Sequence, residues 1–461
     1  MPSSGADLAV RATRILTTAG WRAGTIVARA GRVVDVLPEG APPPVDLDMI
    51  DAGKRVVLPG LVDTHAHFRD PGFTDKEDWH TGSRAAALGG VTFVADMPNV
   101  EPPPTTLERF LAHRDNAAGK SIIDFGHNVS GTIPEEIPRL AEAGVLAFKV
   151  FMMRDIGRSY PHMPGIAVED HADLYRICEA IAATGRVLMV HAHDGALAEL
   201  LAARRIERDG RDPRAYARAY RDGDGVVIDS GIATILAIQR ATGVRLHILH
   251  VNTIGGLAMI RAAKADGRPV TAETNPFHHF VVNDWATIER DGPLALGQWV
   301  PEEHAAATWD ALLDGTIDVI ASDHTPHTLA EKQSGWTDMF ATPGGSPTIQ
   351  HGLALFLDAV HHGRIPLERV VEAWSTRPAE LFGLAPRKGS IAVGADADLV
   401  LVDLDEPYTI RNEDVASKCG WTVLDGRTVI GRPVTTISRG RIVADRGVVL
   451  ADPGSGRFVG T

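Results

Sequence analysis

Cysteine is scarce: Cys178 and Cys419 are the only two in 461 residues. A disulfide framework and a thiolate metal cluster are therefore both excluded within one chain, and the usage fits a reducing cytoplasm. Long apolar runs are also missing. No stretch approaches the roughly 20 residues of a membrane span, and Met1–Ala9 lacks the charged head and apolar stretch of a signal peptide. There is no basic block: 46 Lys and Arg stand against 59 Asp and Glu, a formal charge of -13. That balance argues against a nucleic-acid partner and for a protein acting on small molecules. No internal repeat and no low-complexity tract interrupts the chain. With 44% hydrophobic and 23% charged residues, the composition is that of a globular protein able to bury a large core.

The chain instead carries eight short runs rich in Val, Ile and Phe: Leu61–His67, Val91–Asp96, Ser121–Asn128, Val145–Phe151, Val187–His191, Arg245–His250, Pro269–Asn275 and Ile317–Asp323. Segments of helical periodicity separate them, such as Asp78–Leu88, Val168–Ala183 and His304–Leu313, with Gly or Pro at their ends. Parallel strands each need a crossover helix, so this alternation predicts an α/β fold, a (β/α)8 barrel of the TIM type, over residues 58–385. Residues 1–57 and 386–461 read as short antiparallel strands, neither set large enough to fill a core alone. They are expected to pair into one small β-sandwich domain beside the barrel. The charged stretch Arg204–Asp224 reads as a solvated surface insertion.

Polar groups punctuate the carboxyl ends of the predicted strands, which converge on one mouth in a barrel. His65 and His67 are two apart on a strand and face the same side, as a ligand pair or as core imidazoles. His191, His250 and Asp323 end the fifth, sixth and eighth runs. Lys149 sits inside the apolar run Val145–Phe151, where a bare ammonium is costly. Either a carboxylate pairs with it, or the neutral amine takes up carbon dioxide to form a carbamate whose oxygens bridge two metal ions. Imidazole and carboxylate donors without sulfur suit Zn2+, with Mn2+ or Co2+ as alternatives. Two ions sharing a hydroxide would bring its pKa toward neutrality beside a carbonyl carbon. Asp323 would then ligate metal, accept the proton and return it to a departing nitrogen. The reaction class is metal-assisted hydrolysis of an amide-like bond.

Taken together, several stretches resemble the amidohydrolase superfamily, and within it the cyclic amidohydrolases: dihydroorotase, allantoinase and hydantoinase. They are Pro59-Gly60-Leu61-Val62-Asp63-Thr64-His65-Ala66-His67-Phe68-Arg69, Gly89-Gly90-Val91-Thr92, Asp96-Met97-Pro98-Asn99, Phe148-Lys149-Val150-Phe151, Val190-His191-Ala192, His247-Ile248-Leu249-His250, Ser322-Asp323-His324-Thr325-Pro326-His327 and Gly394-Ala395-Asp396-Ala397-Asp398-Leu399-Val400. The resemblance implies that His65 and His67 hold one zinc and His191 and His250 the other, that N6-carboxylated Lys149 bridges both, and that Asp323 is ligand and acid/base. Arg69, Asn99 and His327 resemble the residues that hold the substrate carboxylate in dihydroorotases, and Asp291 stands where that group has an Asn against the ring.

The resemblance therefore points to a dihydroorotase, reversibly opening dihydroorotate to N-carbamoyl-aspartate in pyrimidine biosynthesis. An allantoinase, hydantoinase or cyclic-imide hydrolase with the same chemistry is the alternative, and a non-catalytic scaffold would be expected to have broken ligands. His193 replaces the family's usual Glu or Asp, and Phe277 interrupts a Pro-His-His pattern. His193, His278 and His279 are read as imidazoles that support or pack rather than bind. Arg154–Gly165 and Thr325–Pro347 are read as mouth segments that close over substrate or stand as walls, with Gly344 and Gly345 lining the pocket through backbone. A homo-oligomer, dimer or tetramer, is expected.

Overall fold

The eight apolar runs all become strands of one parallel sheet. A computed structural model describes residues 7–42, 44, 46–153, 165–297 and 299–461. In chain order its strands are β1 (Leu8–Thr17), β2 (Gly20–Arg29), β3 (Arg32–Pro38), β4 (Asp48–Asp51), β5 (Val56–Pro59), β6 (Leu61–Ala66), β7 (Val91–Asp96), β8 (Asp124–Ser130), β9 (Ala147–Phe151), β10 (Val187–His191), β11 (Arg245–Ile248), β12 (Val270–Thr274), β13 (Val319–Ile320), β14 (Leu399–Thr409), β15 (Thr428–Ser438), β16 (Arg441–Asp445) and β17 (Val448–Val449). Strands β6 to β13 pair in sequential order, each parallel to its successor, as repeated strand–helix–strand crossovers produce. Their side chains are almost wholly buried on both faces, so these runs are rich in apolar residues without a strict alternation, and the polar residues they hold, such as Asp124, His127 and Asn128 on β8, are buried as well.

The barrel closes between its first and last strands by bonds outside the regular ladder. The His67 amide donates to the His324 carbonyl at 2.8 Å, and the Ser322 amide donates to the Asp63 carboxylate at 3.0 Å. The predicted helices form as Trp79–Leu88, His171–Thr184 and Glu302–Leu313. The first is fixed by a capping box, Asp78 accepting from the Thr81 amide at 2.8 Å, and Lys418 reaches across to the same carboxylate. Among the described residues no helix is long and apolar enough to cross a membrane.

Both chain ends meet in a second sheet of nine strands, ordered β17-β16-β15-β14-β5-β1-β2-β3, with β4 also on β1. Its strands are not uniformly short or antiparallel. β14 and β15 have 11 residues each, and β4 and β5 succeed one another along one flank of β1, both parallel to it. Leu8, Val10, Ile15, Ile26, Val57, Leu399, Leu401 and Ile437 make its core.

A buried ionic cluster fastens this sheet to the barrel. Lys388 Nζ lies 2.6 Å from Asp124 at the start of β8, 2.6 Å from Asp398 just before β14 and 2.9 Å from Asp396. Arg439 Nε donates to Asp124 at 2.9 Å and its amide donates to Asp398 at 2.7 Å. Burial alone would lower the Lys388 pKa, but three adjacent carboxylates outweigh it and hold the ammonium above its ordinary range.

Candidate metal centre and active site

Alternation along a barrel strand sends every second side chain inward, and the last inward positions crowd the carboxyl-end mouth. His65 on β6 and His67 just beyond it arrive there with their Nε2 atoms 3.3 Å apart. Asp323, three residues past β13, brings Oδ1 to 3.2 Å from His65 Nε2 and 3.7 Å from His67 Nε2. Opposite, His191 at the end of β10 has Nδ1 2.9 Å from Nε2 of His250, which follows β11. The His65 and His250 rings, 5.9 Å apart, link the two groups. Lys149 lies between its neighbours on β9, 1% exposed, its Nζ 4.3 Å from the centre of the Phe151 ring. All six residues predicted as metal ligands thus meet at one mouth.

Backbone geometry is unusual here. Arg69, His250 and Asp323 have φ of +60°, +39° and +47°, in the left-handed region that non-glycine residues rarely enter. The Asp323 carboxylate accepts from Asn275 Nδ2 at 3.2 Å and from Thr325 Oγ1 at 3.1 Å, which sets its orientation.

The electrostatics suit metal binding. Burial pushes the Lys149 pKa down to about 7, against the opposing pull of Glu273 and Asp323. A neutral amine is accessible there, as carbamate formation requires. Burial likewise holds the His191 and His250 imidazoles well below their ordinary pKa, leaving ring nitrogens free to donate to an ion.

Glu273, which the sequence reading missed, organises this region from β12. Wholly buried, it accepts from His65 Nδ1 and lies 3.1 Å from His247 Nε2. Burial raises its pKa, but the two imidazoles overcome that and keep it ionised. A carboxylate on Nδ1 fixes the ring so that Nε2 faces the mouth. Glu273→Gln is therefore expected to weaken metal binding by about 10- to 100-fold, measured by chelator competition; unchanged affinity would show that His65 is oriented by packing alone.

The mouth opens into a cavity of about 180 Å³. Arg69 and Asn99 line it, and so do Gly344 and Gly345. His327 does not: it stands behind Arg69, with Nε2 3.3 Å from Arg69 Nη2 and Nδ1 3.5 Å from Lys76 Nζ. Asp291 is also outside the wall. It ends the helix Trp285–Asp291 with its carboxylate on Arg290 at 2.7 Å, and the chain reaches the cavity only further on, at Gly297 and Trp299.

Two further expectations change. The stretch 204–224 is not merely solvated surface: Tyr216 and Tyr220, on the helix Pro213–Arg221, line the cavity. Their four-residue spacing puts both rings on one face, while Arg214, Arg218 and Arg221 dominate the composition and mask it. His193 lines the cavity too, its ring centre 3.9 Å from that of His191, and was not expected to bind. Of the two mouth segments, Thr325–Pro347 packs as a wall, with the Lys332 ammonium on the Pro343 carbonyl at 3.0 Å and the Gly345 amide on Gly297. Residues 154–164 lie outside the described residues.

Among the described residues two donor groups emerge, His65–His67–Asp323 and His191–His193–His250, the potential ligand atoms of each lying within 4.8 Å of one another. Nitrogen and oxygen donors without sulfur fit Zn2+ or a similar divalent ion.

Residues 56–443 match the amidohydrolase family. The chain is 33% identical to an L-hydantoinase of Paenarthrobacter aurescens, covering 98% of each chain. It is 37% identical to an allantoinase of Streptomyces avermitilis over 96% of each. It is 36% identical to a dihydroorotase of Halobacterium salinarum over 86% of this chain and 88% of that one. The solved structure of an L-hydantoinase (dihydropyrimidinase) from Arthrobacter aurescens superposes with a TM-score of 0.92 at 32% identity, covering 99% of this chain and 100% of that one. A barrel with two imidazole-rich donor groups at its mouth, matched along nearly its whole length by hydantoinase, allantoinase and dihydroorotase, makes this chain a cyclic amidohydrolase of the amidohydrolase family.

Proposed function

We propose that the protein opens a cyclic amide bearing a carboxylate, as dihydroorotase does, with two Zn2+ ions held by His65, His67, His191, His250 and Asp323 and bridged by carboxylated Lys149. The carrying observation is Lys149 itself: a lysine with a strongly lowered pKa, buried between two clusters of metal-type donors. When bound, the ions would supply a water of lowered pKa and polarise the amide carbonyl.

The chain's own residues do the rest. Asp323, held by Asn275 and Thr325, has its carboxylate at the mouth and can take the proton from the attacking water, then hand it to the ring nitrogen as the C–N bond breaks. Arg69 presents a guanidinium to the cavity with Asn99 nearby, a pairing suited to clamping a carboxylate. His327 and Lys76 back that guanidinium and restrict its movement.

One observation favours a second reading. Phe151, Tyr216, Tyr220, Ile228 and Trp299 give the cavity a largely aromatic wall, which suits a ring with an apolar substituent, such as a substituted hydantoin. Hydrolysis of dihydroorotate, allantoin, dihydrouracil, hydantoin and succinimide, with Asp323→Ala as blank, separates the two. The first reading expects dihydroorotate to be preferred, and Arg69→Met to raise its KM roughly 10- to 100-fold with metal content intact. Turnover confined to rings without a carboxylate would sink it in favour of the second.

A further inference from the structure

The binuclear assignment gives tasks to His191 and His250 and none to His193. We propose that His193 is itself a metal donor, so that His191, His193 and His250 form a three-imidazole half-site able to hold a divalent ion without Lys149. This deepens the binuclear reading and rests on it.

Placement supports the assignment first. His193 is two residues past the last residue of β10, and its ring centre lies 3.9 Å from that of His191 and 5.8 Å from that of His250. The backbone around it is pinned on both sides. The His193 amide donates to the His191 carbonyl at 3.2 Å and the Asp194 amide to Val227 at 2.8 Å. Asp194 then caps the helix Gly195–Asp209, accepting from the Leu197 amide at 3.1 Å, and also accepts from Ser230 Oγ at 2.7 Å. The ring is therefore delivered to the cavity by a fixed turn rather than by a mobile surface loop.

Donor counting supports it next. The opposite group has three donors of its own, His65, His67 and Asp323, whereas the assignment by resemblance leaves this side with two. Adding His193 equalises them, and three protein ligands plus one open position is the arrangement of catalytic zinc sites. The two halves then differ in charge. His65, His67 and Asp323 carry one negative charge toward an ion, while the three imidazoles carry none. An all-imidazole set favours zinc, cobalt, nickel or copper over manganese or magnesium, so the halves should differ in metal preference.

Cobalt-loaded full-length protein tests this through spectroscopy. His193→Cys is expected to add a near-ultraviolet thiolate-to-cobalt charge-transfer band, which requires the side chain at this position to touch the ion. His193→Ala is expected to lose one of its two ions to a chelator at least about 10-fold more readily than the wild type. In a His65→Ala/His67→Ala background one cobalt ion should remain per chain, and adding His193→Ala should release it. Two tightly held ions in His193→Ala together with no new band in His193→Cys would overturn the proposal, and circular dichroism of both variants guards against misfolding. Ring opening measured on the same preparations tests the reaction separately. Cobalt bound through His193 without turnover would sink the reaction and keep the half-site, and turnover with His193 unligated would do the reverse.

Discussion

Asp323→Asn is expected to lower kcat by about 10²- to 10⁴-fold on whichever ring the enzyme prefers. The substitution keeps the side-chain shape and a carbonyl oxygen toward His65, but removes the group that can accept a proton. In energy that is about 3–5 kcal/mol of transition-state stabilisation. Its neighbours sharpen the test. Asn275 and Thr325 both donate to the carboxylate, so an amide there must turn one NH toward a donor or toward the neighbouring imidazoles. Steady-state rates with metal content measured on the same samples would separate lost proton transfer from lost metal. Activity within tenfold of wild type, with two ions retained, would mean that another group moves the proton.

The largest stability effect is expected far from the mouth. Lys388→Met would leave Asp124, Asp396 and Asp398 facing one another, with Arg439 and Arg387 as the remaining cations. Breaking one partner of a buried ionic set typically costs about 3–5 kcal/mol, read as a lowered denaturant midpoint. The pH dependence has a definite sign. Burial already raises the Asp398 pKa, ahead of the opposing pull of Lys388, and losing the ammonium raises it further. A folded-state pKa above the unfolded value means that the native variant binds more protons, so its stability falls as pH rises through that range. The deficit relative to wild type should therefore shrink toward acidic pH. A pH-independent loss would instead indicate a packing defect.

Much of this architecture is legible in the sequence because the eight barrel strands are apolar on both sides and need only local composition to be seen. Their ends are less legible. Ile317–Asp323 reads as a full strand, yet the ladder covers only Val319–Ile320, because the Ser322 amide turns to the Asp63 side chain and Asp323 enters the left-handed region. Lys149 announced itself as a charge in an apolar run. Glu273, in Val270–Thr274, carries the same signal and is the residue that such reasoning should have caught. Tyr216 and Tyr220 were hidden by the arginines around them. Asp291 was misplaced because sequence likeness in a loop says little about which residue turns inward, and it is Trp299 that does so. Ring specificity was not legible at all, since it depends on how walls from distant segments meet.

The left-handed residues at the mouth have a consequence for how this protein can be altered. At Arg69, His250 and Asp323 the left-handed backbone costs roughly 1 kcal/mol each relative to glycine, so the fold carries strain at three positions beside the proposed chemistry. That strain persists only while the surrounding structure over-determines it, so a substitution that loosens the mouth would be felt first at those three positions.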